Sequence, residues 1–262
     1  MMKNRDNTPI GEICKNPFFY GPFKNFQKIE NPAFASEDWI KHCKNKHKLI
    51  NRKYTLKNTF KRKIKSFLGL SVNSIFSKDV LKIIKNCRCI VDLGGGWGDN
   101  FMDLKFQGAT KNKEYYIVDN PKQAKFGKSI FKKNEIKFKS EIPNKKINFL
   151  MIIGTLQYIE DWVSFLISLR KKEIDYIYIY RTPFTEQKET FVSVQSIVPE
   201  TLNYKIGEEN LNIISMQEFL SLCNQLNWKV EFLEKRRDYS ANFERLGVEN
   251  QSIFYQKILI KS

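Results

Sequence analysis

Residues 89–98 read Cys89-Ile90-Val91-Asp92-Leu93-Gly94-Gly95-Gly96-Trp97-Gly98. The first five predict a short buried strand, and the glycines predict a tight turn leaving it. Helical spacing resumes afterwards and predicts a helix through Phe106. Glu114–Asp119 then reads as a second strand that ends in a carboxylate. Strand, glycine turn, helix and strand form the opening unit of a parallel sheet.

The pattern continues in both directions. Downstream, Pro121–Lys132 predicts a helix, Ile136–Lys139 a weak strand and Ile147–Ile153 a strong one. Asp161–Arg170 predicts a helix with Trp162, Phe165, Leu166 and Leu169 on one face, and Tyr176–Tyr180 a fifth strand. Ser215–Leu226 carries a helix-start signature, Ser215 as N-cap with Glu218 completing a capping box. Lys229–Leu233 and Ser252–Ile260 read as two last strands. With no helix between them, one is expected to run antiparallel and close the sheet edge. The fold class expected is α/β, a doubly wound and mostly parallel sheet.

Upstream, Ser77–Lys85 predicts a helix, and 54–68 sets Leu56, Phe60, Ile64, Phe67 and Leu68 on one helical face. Another helix starts at Ser36, with Glu37 and Asp38 in its first turn. Residues 1–35, rich in Pro, Phe and Asn, read as an extended arm without regular structure. The organisation expected is a basic arm and helical extension over 1–80, then the α/β domain over 81–262. An insertion at 183–214 is expected to act as a lid or substrate loop.

The whole chain has 262 residues, 45 Lys plus Arg against 28 Asp plus Glu, and 42% apolar residues. That apolar share supports a full core and excludes a wholly disordered chain. No stretch has the roughly 20 apolar residues that span a bilayer. The N-terminus lacks the apolar run and cleavage site of a signal peptide, so a cytoplasmic location is expected. Five scattered cysteines and two histidines suit a reduced compartment and no metal centre. The excess charge is uneven. Residues 1–80 carry 17 basic and 6 acidic side chains, 151–262 carry 13 and 15, and 41–65 holds eleven basic residues with no acid. The basic helix expected at 54–68 within and beyond this run either packs its apolar face on the domain or lies on an anionic inner-membrane surface.

A glycine turn after the first strand and an acid ending the second are the elements that bind a ribose-bearing cofactor. The dinucleotide fingerprint needs glycines at positions one, three and six. Here they fall at one, three and five, and Asp99 stands where a sixth-position glycine would let a pyrophosphate pack. An acid at that place repels a phosphate but suits S-adenosylmethionine, whose methionine end is cationic at its ammonium and sulfonium. Asp92 is expected to orient the turn and to help the ammonium directly or through water.

Asp92 to Gly98 resembles the first motif of class I S-adenosylmethionine-dependent methyltransferases. Gly154-Thr155-Leu156-Gln157-Tyr158-Ile159, Tyr180-Arg181-Thr182-Pro183, and Gln195 followed by Pro199 resemble a small bacterial methyltransferase family often encoded among surface-polysaccharide genes. The segment at Trp39 is similar to that family's N-terminal region. The resemblance implies a Rossmann-like sheet of seven strands with the last antiparallel. It implies cofactor contacts from Asp92, Gly94, Gly95 and Gly96, from Asp119 with Asn120, from Ser140 and Glu141 at the adenine, and from Gly154, Thr155 and Leu156 at the methionine. The Lys-rich 41–65 run departs from the family pattern.

For the chemistry, Tyr158 is a candidate to position or deprotonate the acceptor, or to wall the cofactor. Arg181 is a candidate to grip an anionic group of the substrate, or to pair with Glu160 or Asp161. Asp161 is a candidate base, or only a helix cap. His42 and His47 are expected on the surface, with presentation over the open end of the sheet as the alternative. The function expected is methylation of a hydroxyl on a sugar or other small molecule in surface-glycan biosynthesis. An RNA methyltransferase docking through the basic region is less favoured, because no recognisable RNA-binding module is present. An inactive cofactor-binding scaffold is the third reading.

Overall fold

The computed structural model describes residues 19–53, 75–131, 135–199, 201–233, 238–239 and 253–262. In chain order its elements are β1 (Phe19–Phe23), a 3-10 turn (Ala33–Ala35), α1 (Glu37–Lys53), α2 (Lys78–Asn86), β2 (Cys89–Leu93), α3 (Asp99–Phe106), β3 (Glu114–Val118), α4 (Pro121–Ile130), β4 (Lys137–Lys139) and β5 (Ile147–Ile153). A 3-10 turn (Leu156–Tyr158), α5 (Trp162–Arg170), β6 (Ile174–Tyr180), β7 (Pro183–Thr185), β8 (Phe191–Ile197), β9 (Gly207–Ser215) and α6 (Met216–Gln225) follow. The last strands are β10 (Lys229–Phe232), β11 (Asp238–Tyr239), β12 (Ile253–Tyr255) and β13 (Ile258–Lys261).

The main sheet has seven strands in the order β10-β13-β6-β5-β2-β3-β4. The β6-β5-β2-β3-β4 run is parallel throughout. β13 pairs antiparallel with both β6 and β10. A sheet of seven strands with the last one reversed is the arrangement the resemblance implies. One detail differs: the reversed strand does not close the edge but slots between β6 and β10. Alternate residues of the central strands feed opposite faces, as strand geometry requires. Val91, Leu150, Ile152 and Ile177 pack with Trp162, Leu166, Phe219 and Leu222 of α5 and α6. Ile90, Phe149, Met151 and Tyr178 pack with Val80, Ile84, Phe101, Leu104 and Ala124 of α2, α3 and α4. Helices thus cover both faces, which is what lets the strands read as continuous apolar runs.

A second sheet was not legible in the sequence. Its order is β1-β8-β9-β7-β12-β11. The 183–214 stretch, expected as an insertion without regular structure, supplies β7, β8 and most of β9. Phe19–Phe23, expected as part of an unstructured arm, is a strand pairing antiparallel with β8. The stretch expected as one strand at Ser252–Ile260 is two: β12 joins the second sheet, and β13, after Gln256 and Lys257, joins the first. β8 escaped notice because both its faces are covered. Ser193 and Ser196 are buried beside Val192 and Val194, so small polar residues break the period-two pattern. The helix expected over 54–68 lies outside the described residues.

The second sheet carries the N-terminal segment. Phe34 N donates to Glu209 Oε1 at 2.7 Å, and Glu208 N donates to Asn31 O at 3.1 Å. A Cβ on Gly207 would lie 2.4 Å from Asn31 O, so only glycine admits this approach. Ser36 then caps α1, accepting from Trp39 N at 3.1 Å.

Candidate functional site

The carboxyl ends of the central strands are stitched together by their first loop residues. Gly94 N donates to Val118 O at 2.8 Å, joining β2 to β3. Thr155 Oγ1 donates to Leu93 O at 3.0 Å, joining β5 to β2. Gly154 N donates to Tyr180 O at 2.8 Å, joining β5 to β6.

The three consecutive glycines have different reasons to be glycine. A Cβ on Gly94 would lie 2.1 Å from Thr155 Oγ1, and one on Gly95 would lie 2.5 Å from the Asp92 carboxylate. Both back onto packed protein. A Cβ on Gly96 would meet nothing within 4 Å. Gly96 therefore faces open space, two residues before the Gly98 N-cap of α3, and its amide is fixed by Asp119: Gly96 N donates to Asp119 Oδ2 at 3.1 Å. The other carboxylate oxygen accepts from Asn120 N at 2.7 Å. Burial pushes the Asp119 carboxyl up, and the two amides pull it down. A carboxylate has about four acceptor positions, so two remain for hydroxyls of a ribose.

Asp92 does half of what was expected. It orients the turn from behind, with 1% exposure. Tyr115 OH donates to Oδ2 at 3.0 Å, and Asn100 Nδ2 donates to both oxygens at 3.2 Å. Burial pushes its carboxyl up to about 7, against the two donors that lower it. It does not line the cavity in front of the turn. Asn100, which donates to it, does.

That half-open cavity, of about 170 Å³, is lined by Gly94, Gly95, Gly96, Trp97, Asp99 and Asn100, by Ile153 and Arg181 at the ends of β5 and β6, and by one face of α1. Trp39, His42, Cys43 and Lys46 form that face at i, i+3, i+4 and i+7. Lys46 Nζ pairs with Asp99 Oδ2 at 2.7 Å and ties the helix over the turn. Both histidines are 8% exposed, so the surface placement expected for them is overturned. The sequence carried the signal in the 39, 42, 43, 46 spacing, but the lysines on the other face masked it. Larger hollows of about 620 and 740 Å³ lie elsewhere, one beside Arg88, Lys113 and Glu114 at the amino ends of β2 and β3, the other beside Asn31 and Lys205. Neither touches the glycine turn.

The remaining candidates separate. Arg181 lines the cavity and has φ +57°, a left-handed backbone that few bulky residues adopt. Thr182 beside it is fully buried and Pro183 opens β7, so Arg-Thr-Pro is the corner at which the chain leaves the first sheet for the second. Tyr158 OH donates to Gln195 Oε1 on β8 at 2.9 Å, and burial pushes the phenol well above its ordinary range. Its ring meets Phe34 edge-on at 4.9 Å, and Phe34 meets Trp39 at 4.7 Å. That burial favours the neutral phenol, which makes Tyr158 a poor base, and Tyr158 is not among the residues that line the cavity. Asp161 does not line the cavity. It is the N-cap of α5, accepting from Ser164 N at 2.9 Å, which lowers its carboxyl. Leu156 is fully buried in the core and is not among the residues that line the cavity. Asn120 caps α4, accepting from Gln123 N at 3.0 Å. Ser140 and Glu141 are exposed just after β4, on the Asp119 side of the strand ends and outside the cavity lining.

No protein-family model matches the chain, and no curated protein matches it significantly. Several solved structures resemble it distantly. The N-terminal domain of EvdMO1 with SAH bound is 10% identical, with 71% of this chain and 79% of that one covered, at a TM-score of 0.49. The CcbJ methyltransferase from Streptomyces caelestis is 13% identical, with 70% and 86% covered, at 0.45. An S-adenosylmethionine dependent methyltransferase from Mesorhizobium loti is 12% identical, with 70% and 96% covered, at 0.44. At this distance the fold assignment rests on the strand order described above.

Proposed function

We propose that the chain is an S-adenosylmethionine-dependent methyltransferase whose acceptor is a hydroxyl on a sugar or other small molecule of surface-glycan assembly. The observation that carries the cofactor is the Gly96–Asp119 pair. The one glycine of the turn with open space at its Cβ position is the one whose amide the second-strand acid holds. When bound, the cofactor supplies an electrophilic methyl group on a sulfonium. The chain's own residues align the partners, a contribution that can reach about 7–11 kcal/mol of the barrier. Asp119 offers acceptors to ribose hydroxyls. Trp97 and the first turn of α3 offer amides and a favourable dipole to the cofactor's carboxylate. Arg181 stands across the cavity as the cation for an anionic group on the acceptor. Trp39 covers one side of the cavity, and Phe34 packs against it.

The glycan acceptor follows from the motif resemblance alone. An RNA acceptor has one feature in its favour: Lys41, Lys44 and Lys48 on α1 are exposed and outside the cavity lining. Isothermal calorimetry with S-adenosylhomocysteine tests the cofactor. A saturable heat and a raised melting temperature are expected, and neither at saturating ligand means the reading is wrong. Labelled S-adenosylmethionine offered with extracted glycans and with RNA separates the acceptors.

A further inference from the structure

Two helices from different parts of the chain share one basic surface. On α1, Lys41, Lys44 and Lys48 recur at i, i+3 and i+7 and are exposed, outside the cavity lining. On α4, Lys122 and Lys125 are exposed at i and i+3. The helices are tied along their length. Lys122 Nζ donates to Ala35 O at 3.2 Å, just before α1 begins. Lys44 Nζ lies 4.5 Å from the centroid of the Phe126 ring, and His47 meets Phe131 edge-on at 5.2 Å. These three contacts advance together along both helices, so the two lysine rows stand side by side.

Acids are sparse on this surface. α4 has none, and those of α1, Glu37 and Asp38, stand in its first turn, where Tyr204 donates to Asp38 Oδ1 at 2.9 Å. Six lysines elsewhere, Lys82, Lys105, Lys137, Lys145, Lys146 and Lys205, each pair with an acid. None of the five on this face forms an ion pair among the described residues. Like charges on neighbouring turns repel, so the face is favoured by an anionic surface laid against it. Leu49, 53% exposed, lies on the edge of α1 away from α4, three turns beyond Asp38 and its exposed partner Tyr204. A leucine and a tyrosine rimming a row of lysines suit a lipid interface, where apolar groups enter and ammoniums meet phosphates. A nucleic acid would leave the leucine in water, and lysines are point charges without the planar fork that reads it.

We propose that this α1–α4 face docks on an anionic phospholipid surface. The assignment rests on the surface alone and stands or falls apart from the methyltransferase reading. The inner face of α1 lines the cavity, and α4 begins two residues after Asp119, so docking sets the cavity beside the membrane.

Co-sedimentation with vesicles of phosphatidylcholine and phosphatidylserine tests it. Binding is expected to grow with the phosphatidylserine share and to fall as salt screens the charges. Lys48→Gln and Lys125→Gln, one on each helix, are each expected to weaken it about fivefold, and the double variant by the product. Leu49→Ser changes no charge and is expected to weaken it as well. Lys171→Gln with Lys188→Gln removes the same charge on the α5–α6 side and is expected to leave binding unchanged. Wild-type binding by Lys125→Gln overturns the joint face. An equal loss in the α5–α6 pair reduces the effect to net charge and overturns it too. Single-stranded RNA held more tightly than the vesicles at the same ionic strength, and released by the same two substitutions, gives the face to nucleic acid and overturns the membrane assignment.

Discussion

Asp92 shows how one residue can serve a site it never touches. Its carboxylate is buried behind Gly95 and held by Tyr115 and Asn100. Its folded-state value of about 7 lies above the ordinary 3.8. The sign follows by linkage: the stabilisation is complete below about pH 4 and is lost as pH rises through 7. Asp92→Asn keeps the shape and stays neutral, so it should remove that loss. Thermal unfolding followed by circular dichroism between pH 5 and 8 should show the wild type weakening with pH and the variant weakening less. An equal slope in both would mean that Asp92 ionises freely. The acid and the glycines were legible in the sequence because their spacing is local. Which glycine faces the ligand was not, since that depends on Thr155, sixty-one residues beyond Gly94 in the chain.

Among the elements, α6 shows the same division. Ser215 caps it as its sequence signature says, accepting from Glu218 N at 3.3 Å. The reciprocal half of the capping box is rerouted. Glu218 Oε2 accepts from Thr190 N and Oγ1, and Ser215 N donates to Thr190 Oγ1 at 2.9 Å. The start of α6 is therefore fastened to the turn before β8. Thr190→Val should cost about 1–3 kcal/mol, the range for orphaning buried polar partners. The readout is a lower urea midpoint at unchanged slope. A loss within error would mean that the cap stands without the relay. α1 carries the larger lesson. Its lysines made it read as a solvated basic helix, yet one face of it closes the cavity. Helical spacing was visible at 39, 42, 43 and 46; the partner surface was not, because strand ends far along the chain form it.

For the whole molecule, the charge belongs to a different part of the chain from the glycine turn. Residues 151–262 carry 13 basic and 15 acidic side chains, while the eleven basic residues of 41–65 begin on the outer face of α1. We propose that this run meets an anionic membrane surface, each lysine near it contributing about 1 kcal/mol. Replacing Lys57, Lys61 and Lys65 with Gln should leave calorimetric S-adenosylhomocysteine affinity unchanged and reduce co-sedimentation with phosphatidylserine vesicles. Unchanged sedimentation would remove the membrane role. The parallel strands, the glycine turn and the acid that follows β3 were determined by the sequence itself, because each depends on period and spacing within a few residues. The second sheet, the insertion of β13 between β6 and β10, and the placing of His42 over the strand ends were decided only by tertiary structure. These depend on which distant segments pair, and backbone hydrogen bonds between strands leave no mark in a local pattern when both faces are buried.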